Sequence, residues 1–527
     1  MTGNHSLYRS NLVLCLASGL LVSLCWFLLT WRYGFDFADE GYYWYGAQRV
    51  LRGEAPIRDF LAYDIGRYLW AAAVMSAIGD DGIFGARLAA GLFQALTVSV
   101  GVFIALQAVQ ASYGTARRIL FAFLVALLLN VWATPYYKSF DYGTSILIVG
   151  MLMLILTSRA VKYWFGAGLI LGLAAVMGRN HGVYGAASAL MALGFLLVKK
   201  ERPSVLLRPA LAFMGGTAIG FSLTFVMGLY QPGFMAALIA GIIDHVRSTA
   251  TATNIPLPVP WPWKATHDEN GWILWAGDFA TGMAFIALLV VPVLAIAVLA
   301  RKPLAAFTRL HYLQIAAAFA GLVYAHYAYS RADVVHLALS IVPVLVILLN
   351  CGVLVRQALP VAVCLVGLSL LMLLEDLPLL SNVVLDRKMT TVVMNGSELH
   401  VHPFVVEYLQ STEHVFSVVP EARDNFLALP NFPGLHAVNK ARMGVWEIYA
   451  LSARDARFEQ AELARLASRP PAVVMLSNHA LDDRPDLRYS VMHPLMYKWI
   501  MDNYHPATLS HPSRVDVYVR NTGAPAP

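Results

Sequence analysis

The sequence predicts a polytopic α-helical membrane protein with a C-terminal α/β domain. Three observations lead there. First, 58% of the 527 residues are apolar and only 13% are Asp, Glu, Lys or Arg, against about 45–50% and about 25% in a soluble domain. Second, long runs free of those four residues recur up to residue 374. Third, beyond residue 376 the charge density becomes ordinary. This composition excludes a water-soluble enzyme, a disordered chain and a fibrous repeat. Net charge is +6, but no basic run is interleaved with aromatics, so no nucleic-acid partner is expected. Cys15, Cys25, Cys351 and Cys364 all lie in apolar stretches without metal-ligand spacing, and read as small buried hydrophobes.

A helix needs roughly 17–25 apolar residues to cross the hydrocarbon core. Eleven stretches qualify, near 11–31, 88–111, 119–137, 143–158, 163–178, 182–198, 209–229, 279–300, 312–330, 337–355 and 357–374. Two of them, 143–158 and 163–178, are short, and Arg159, Lys162 and Arg179 can snorkel at their ends. The stretch 68–79 is too short to span and suits an interfacial or re-entrant helix. The first run is too long for a signal peptide and is expected to be a retained anchor.

Orientation follows from Lys and Arg. With the N-terminus inside, the inner segments carry thirteen basic residues against one acid, Glu201. The outer loops up to residue 374 carry eleven basic and fourteen acidic residues. That bias places the region 376–527 outside. There, 403–413 and 454–468 have helical periodicity, Val415–Val419 and Ala472–Leu476 read as buried strands, and Arg514–Arg520 alternates as a half-buried strand. The expected organisation is a membrane domain over 1–375, with interfacial helices at about 36–82 and an outer loop at 230–278, followed by an α/β domain over 376–527.

Unusual polar residues cluster on the predicted outer face, while the inner loops hold simple basic clusters. The acidic pair Asp39-Glu40 follows the first span. A carboxylate there suits a general base on an acceptor hydroxyl or amine; the alternative is a helix N-cap at Asp39. Lys138, Arg179, His181, Arg331 and His336 suit a phosphate or pyrophosphate, or else snorkel to lipid headgroups. Asp333 lies one helical turn from His336 and either fixes its charge state or caps the helix. His326, inside the ninth span, reads as a hydrogen-bonded structural group. Asp64, Tyr137 and Asp141 are further outer-face candidates for substrate binding. In the long loop 230–278, Trp261 and Trp263 either stack on a sugar face or anchor at the interface. Asn395-Gly-Ser397 completes a short glycosylation-acceptor pattern with frequent chance matches.

These features resemble the GT-C class of integral-membrane glycosyltransferases, and within it the bacterial group of protein O-mannosyltransferases and lipid A aminoarabinose transferases. The residues that carry the resemblance are Asp39-Glu40-Gly-Tyr-Tyr with Ala47 to Arg52, Gly53-Glu-Ala-Pro56 and Asp59-Phe60. Gly66-Arg67 with Gly79 and Gly85-Ala-Arg87 resemble a second interfacial helix leading into a span, and Arg331-Ala-Asp333-Val-Val-His336 a late outer loop. The resemblance implies an inverting transfer from a polyprenyl-phosphate sugar donor to a cell-envelope glycan, lipid or protein, on the periplasmic face of a bacterial inner membrane. It implies Asp39 as base with Glu40 assisting. Lys138, Arg179 and Arg331, followed by His181 and His336, would hold the donor phosphate. It leaves a divalent metal ion open and identifies neither sugar nor acceptor. The rival readings are a transporter or flippase for lipid-linked sugars, disfavoured by span centres that are clean apart from His326, and a ligase acting on lipid-linked glycans.

Overall fold

Apolar runs become helices because a backbone in hydrocarbon must satisfy its N–H and C=O groups within its own segment. The computed structural model describes residues 2–107, 109, 114–247, 255–266, 271–354, 356–507 and 515–521. The helices begin with α1 (Thr2–Thr30), α2 (Asp39–Leu51), α3 (Gly66–Ile78), α4 (Ile83–Leu106), α5 (Thr115–Trp132) and α6 (Ser139–Thr157). They continue with α7 (Val161–Met177), α8 (Arg179–Val198), α9 (Pro203–Gly220), α10 (Ser222–Tyr230) and α11 (Phe234–Arg247). Then come α12 (Gly271–Ala300), α13 (Arg309–Ser330), α14 (Val334–Leu354), α15 (Ala358–Met372) and α16 (Pro378–Val384).

Each of the eleven predicted stretches has most of its length on one of these helices, with α9 and α10 sharing the seventh; residues 108, 110, 111 and 355 of those stretches lie outside the described residues. Among the described residues, eight helical stretches are long and apolar enough by length and composition to cross a membrane, and α7 and α15 are shorter apolar helices. The chain is a multi-pass membrane protein. Helix α13 carries His311, Gln314 and His326, yet 13 of its 22 residues are buried. Gln314 is among the buried residues, whereas His311 is part-exposed and His326 exposed. Helix α3, at about 20 Å, is too short for a core of about 30 Å.

The chain divides into two units. The first comprises 1–31, 89–229 and 256–385; the second comprises 32–88, 230–255 and 386–527. In the first, α13 packs against α12, α14, α6 and α8, and α5 packs against α1 and α15. Helices α7 and α9 approach closely through reciprocal small-residue faces. A Cβ on Gly168 would lie 2.0 Å from the Phe213 carbonyl oxygen, and one on Gly216 would lie 2.1 Å from that of Phe165. Glycines at i and i+4 on both helices, 168/172 and 216/220, allow this backbone approach, which drives helix association in lipid. Leu190, Leu211, Val290 and Val298 are exposed on this unit, as lipid-facing side chains would be. At the far end of α6, Arg159 donates to the carbonyls of Ile155 and Leu156 and pairs with Glu201 at 3.2 Å.

The second unit holds the α/β region. A hairpin of β1 (Thr390–Met394) and β2 (Ser397–Val401) turns at Asn395-Gly396, both with positive φ, the geometry that favours Asn-Gly. A four-stranded sheet has the order β3 (Phe426–Leu429), β4 (Val473–Leu476), β6 (Asp516–Arg520), β5 (Tyr504–Pro506). Its β3–β4 pair is parallel and the others are antiparallel. The helices here are α17 (Pro403–Val418), α18 (Pro433–Val438), α19 (Ala456–Ala467), α20 (Tyr489–Met492) and α21 (Pro494–Asn503).

Two expectations are corrected. Val415–Val419 is not a strand: α17 runs on to Val418, burying Val405, Tyr408, Thr412, Val415 and Phe416 along one helical face. A short apolar run is ambiguous by periodicity alone, and the preceding helix decided it. The segment 230–278 is not one irregular loop either. It contains α11 and the start of α12. Helix α11 buries Phe234 and Leu238 while Ile239, Ile242 and Ile243 stay exposed. The predicted strand over Arg514–Arg520 is β6, with Val515 and Val517 buried; Arg514 lies outside the described residues.

Candidate active site

In the second unit, the residues before α2 fold into a cap. The Asp36 carboxylate accepts the backbone N–H groups of Ala38 and Asp39, both at 2.9 Å. Asp36, not Asp39, therefore satisfies the first donors of the helix. Burial, and then the charge of Asp39, pushes the Asp36 carboxyl up to about 6. Asp39 opens α2 as its first residue and is half-buried. The Tyr449 hydroxyl donates to Asp39 Oδ1 at 2.7 Å.

Glu40 is placed very differently. It is 6% exposed, and Arg87, 2% exposed, grips both of its oxygens at 2.7 and 2.8 Å. Arg87 also donates to the Gly34 carbonyl at 2.6 Å, which ties α4 to the residues leading into α2. Asp64 is likewise buried, held by Arg67 at 3.0 and 3.2 Å. Arg58 forks onto Asp59, and the Asp59 carboxyl lies below its usual range: burial opposes the shift, and the Arg58 hydrogen bond and charge overcome it.

In the first unit, a second polar group forms where α6, α8, α13 and α14 begin or end. The His181 ring is buried between Asp141 and Tyr324: Nε2 meets Asp141 Oδ1 at 3.0 Å and Nδ1 meets the Tyr324 hydroxyl at 2.9 Å. The Tyr327 hydroxyl donates to the same Asp141 oxygen at 3.4 Å, and the Tyr327 ring lies edge-on to His336 with centroids 6.0 Å apart. Asp333 Oδ1 accepts from the His336 backbone N–H and meets its Nδ1, both at 2.8 Å. Arg331 donates to Asp333 Oδ2 at 3.1 Å. Burial opposes ionisation of Asp333, but the bonds and charges of His336 and Arg331 outweigh it and hold the carboxyl below its ordinary value. The expected cap of α14 by Asp333 is present, and the same carboxylate oxygen touches the His336 ring.

Of the sequence-predicted residues, this group unites Asp141, His181, Arg331 and His336. Lys138 ends the turn that leads into α6, with Nζ 5.6 Å from the Tyr137 ring, and Arg179 opens α8. Both are part-exposed. Among the described residues neither forms an ion pair. The start of α6 and the start of α8 are joined by the Asp141–His181 bond, so each of these helix N-termini, positive by its dipole, carries one cation. Trp261 and Trp263 stack on each other, 5.3 Å apart and 10° from parallel, with Trp263 exposed. His326 meets the Tyr184 hydroxyl at 2.9 Å. Among the described residues, no group of three or more His, Cys, Asp or Glu is arranged to hold a metal ion.

No protein-family model and no curated protein matches the sequence. Solved structures do. Apo ArnT from Cupriavidus metallidurans superposes with a TM-score of 0.50 at 13% identity over 98% of both chains. The chain has a GT-C-like fold. ArnT from the same organism bound to undecaprenyl phosphate gives 0.46 at 15% identity, over 98% of this chain and 99% of that one. The Archaeoglobus fulgidus oligosaccharyltransferase AglB, in complex with an inhibitory peptide and a dolichol-phosphate, gives 0.40 at 11% identity over 98% of this chain and 75% of that one.

Sequence reasoning missed Asp36 as the cap, Arg87 as the partner of Glu40, and Tyr449 altogether. Arg87 stood out as a guanidinium at the edge of an apolar run, which signals a buried partner. Tyr449 carried no signal, because its partner lies 410 residues away.

Proposed function

We propose that this protein is a glycosyltransferase that moves a sugar from a polyprenyl-phosphate donor to a cell-envelope acceptor on the outer, periplasmic face of a bacterial inner membrane. Asp39 takes the proton of the acceptor hydroxyl or amine. The acceptor then attacks the anomeric carbon opposite the phosphate, the carbon–oxygen bond to phosphate breaks, and its electron pair leaves with the polyprenyl phosphate. Attack from the opposite side inverts the anomeric centre.

The single observation that carries this reading is the unequal environment of the acidic pair. Glu40 is locked onto Arg87 and anchors the start of α2, while Asp39 is relieved of capping by Asp36 and presented at the first turn. A general base has to reach about 3 Å from the atom whose proton it takes, and a buried bidentate carboxylate cannot. Lys138, Arg179 and Arg331 supply positive charge for the departing phosphate, which is best stabilised by fixed cations where water is scarce. His336, oriented by Asp333, assists them. The Asp141–His181 bond holds together the helix starts that carry Lys138 and Arg179. Tyr137, Trp261 and Trp263 are assigned to the substrate side, and Asp64, through Arg67, to holding α3. The full-length likeness in fold to a membrane glycosyltransferase supports the reading by analogy.

The test is transfer of radiolabelled mannose, aminoarabinose, arabinofuranose or galacturonic acid from undecaprenyl or decaprenyl phosphate by the full chain in lipid nanodiscs, with envelope extract as acceptor. Asp39→Asn is expected to lower turnover by about 10²–10⁴-fold, the usual worth of a general base, with folding retained. Full turnover in Asp39→Asn removes Asp39 as the base. No transfer from any of these donors by the unmodified chain overturns the reading.

A further inference from the structure

Asp39 is held from the far end of the chain. The segment 441–450 lies across the first part of the second unit and is fastened on both sides. On one side, the Leu61 N–H donates to the Trp446 carbonyl at 2.7 Å, the Trp446 indole to the Ile57 carbonyl at 3.0 Å, and the Met443 N–H to the Tyr45 hydroxyl at 2.7 Å. On the other, Glu462 accepts the N–H groups of Trp446 and Glu447 at 2.7 and 3.3 Å. The Glu447 carboxylate meets His493 and Arg454, both at 2.7 Å. The segment carries Tyr449, 7% exposed, whose ring stacks on Tyr42 with centroids 5.0 Å apart. Tyr42 is fixed in turn by donating to the Leu61 carbonyl at 3.0 Å. Tyr449 thus cannot swing away without breaking a stack and a doubly anchored strap.

We infer that Tyr449 is a positioning residue for Asp39: its hydroxyl, 2.7 Å from Oδ1, orients the carboxylate for proton transfer, so the C-terminal α/β region completes the site on α2. This rests on the proposed role of Asp39 as base. Burial, and then the charge of Asp39, pushes the Tyr449 phenol well up, so the hydroxyl keeps its proton and stays a donor. A donor aimed at a carboxylate fixes its rotamer and favours its ionised form.

The experiment uses the full chain in nanodiscs and whichever donor of the panel above supports turnover. Tyr449→Phe keeps the stacked ring and removes only the hydroxyl. It is expected to lower kcat about 10–100-fold, the worth of one hydrogen bond to a charged group. The donor KM should stay unchanged, and the acid limb of the pH–rate profile should move to higher pH. In an Asp39→Glu background, where the carboxylate is displaced by one methylene, the same substitution should cost less than about threefold. Fluorotyrosines at position 449 keep ring and hydroxyl and alter only the donor's acidity; the acid limb should move to lower pH as the phenol becomes more acidic. A wild-type kcat and profile in Tyr449→Phe, an equal loss in both backgrounds, or a limb that ignores the fluorotyrosine series overturns the inference. Transfer that survives Asp39→Asn overturns the base assignment instead, so the two failures are distinguishable.

Discussion

The two units bury polar groups by different rules. In the first, interior hydroxyls turn back onto their own helices: Thr97 donates to Phe93, Thr144 to Phe140, Ser145 to Tyr142 and Ser188 to Tyr184. Charged groups gather at helix ends. In the second, ion pairs sit in the interior: Glu40 with Arg87, Asp64 with Arg67, and Glu447 with Arg454 and His493. A helix surrounded by hydrocarbon has no water with which to trade a charge, so it keeps few. A domain folding in water can bury a charge if each oxygen and N–H is matched. Lys138 and Arg179 follow the rule of the first unit, lying part-exposed at the starts of α6 and α8, so their proposed role on a phosphate has to be separated from a structural one by mutation.

The contrast breaks most visibly at Arg87. Arg87→Ala should leave Glu40 buried and uncompensated, costing about 3–5 kcal/mol. Thermal unfolding in detergent, with tryptic cleavage within 386–527 as a local probe, checks this. Arg179→Ala should change the same melting by no more than about 0.5 kcal/mol. Equal losses would mean that both cations are structural.

Close packing in the first unit can be challenged separately. A Cβ on Gly172 would lie 2.3 Å from the Thr217 carbonyl oxygen, whereas one on Gly194 would meet nothing within 4 Å. Gly172→Leu should therefore destabilise by about 1–3 kcal/mol, and Gly194→Leu should be near neutral. Detergent melting curves of the pair discriminate, and matching curves would remove the α7–α9 contact as a stabilising feature.

The cations give the next effect. Lys138→Ala and Arg331→Ala should each weaken binding of undecaprenyl phosphate about tenfold, as loss of a charge-assisted contact does, with unchanged melting in Lys138→Ala. Fluorescence titration in nanodiscs measures it, and unaltered affinity in both variants refutes the phosphate role.

The smallest effect concerns Asp36. Its carboxyl stands at about 6 against an ordinary 3.8, so the folded unit holds a proton that the unfolded chain has already lost between those values. Stability then falls as pH rises through that window. Asp36→Asn keeps a capping oxygen and removes the titration. It should be about 1 kcal/mol more stable than the parent at pH 7, and equal to it below about pH 4. His436 works in the opposite direction. Burial, then Arg49, pushes it down from 6.5 to about 3, so its contribution is full above 6.5 and is lost as pH falls towards 3. His436→Gln should flatten that acid limb in urea titrations.

Much of the architecture was readable from the chain alone. Every predicted apolar stretch became helix, 68–79 remained too short to span, and 454–468 and Ala472–Leu476 formed as expected, because hydropathy and periodicity are local and additive over a dozen residues. Val415–Val419 failed for the same reason: five apolar residues hold too little periodicity to separate a strand from the last turn of a helix. The motif at Asp39-Glu40 put Asp39 ahead of Glu40 only through its resemblance, and it named no partner for either acid.

The partners of those acids were a tertiary decision. Asp36 took over the cap, Arg87 claimed Glu40, and a tyrosine from the opposite end of the chain reached Asp39. The same holds for the bond between Asp141 and His181, which joins two helices that lie apart in sequence, and for 32–88 joining 386–527 in one unit. Hydrophobicity belongs to each residue and survives in a one-dimensional reading. The partner of a polar group depends on which distant segment arrives within 3 Å, and only the folded chain settles that.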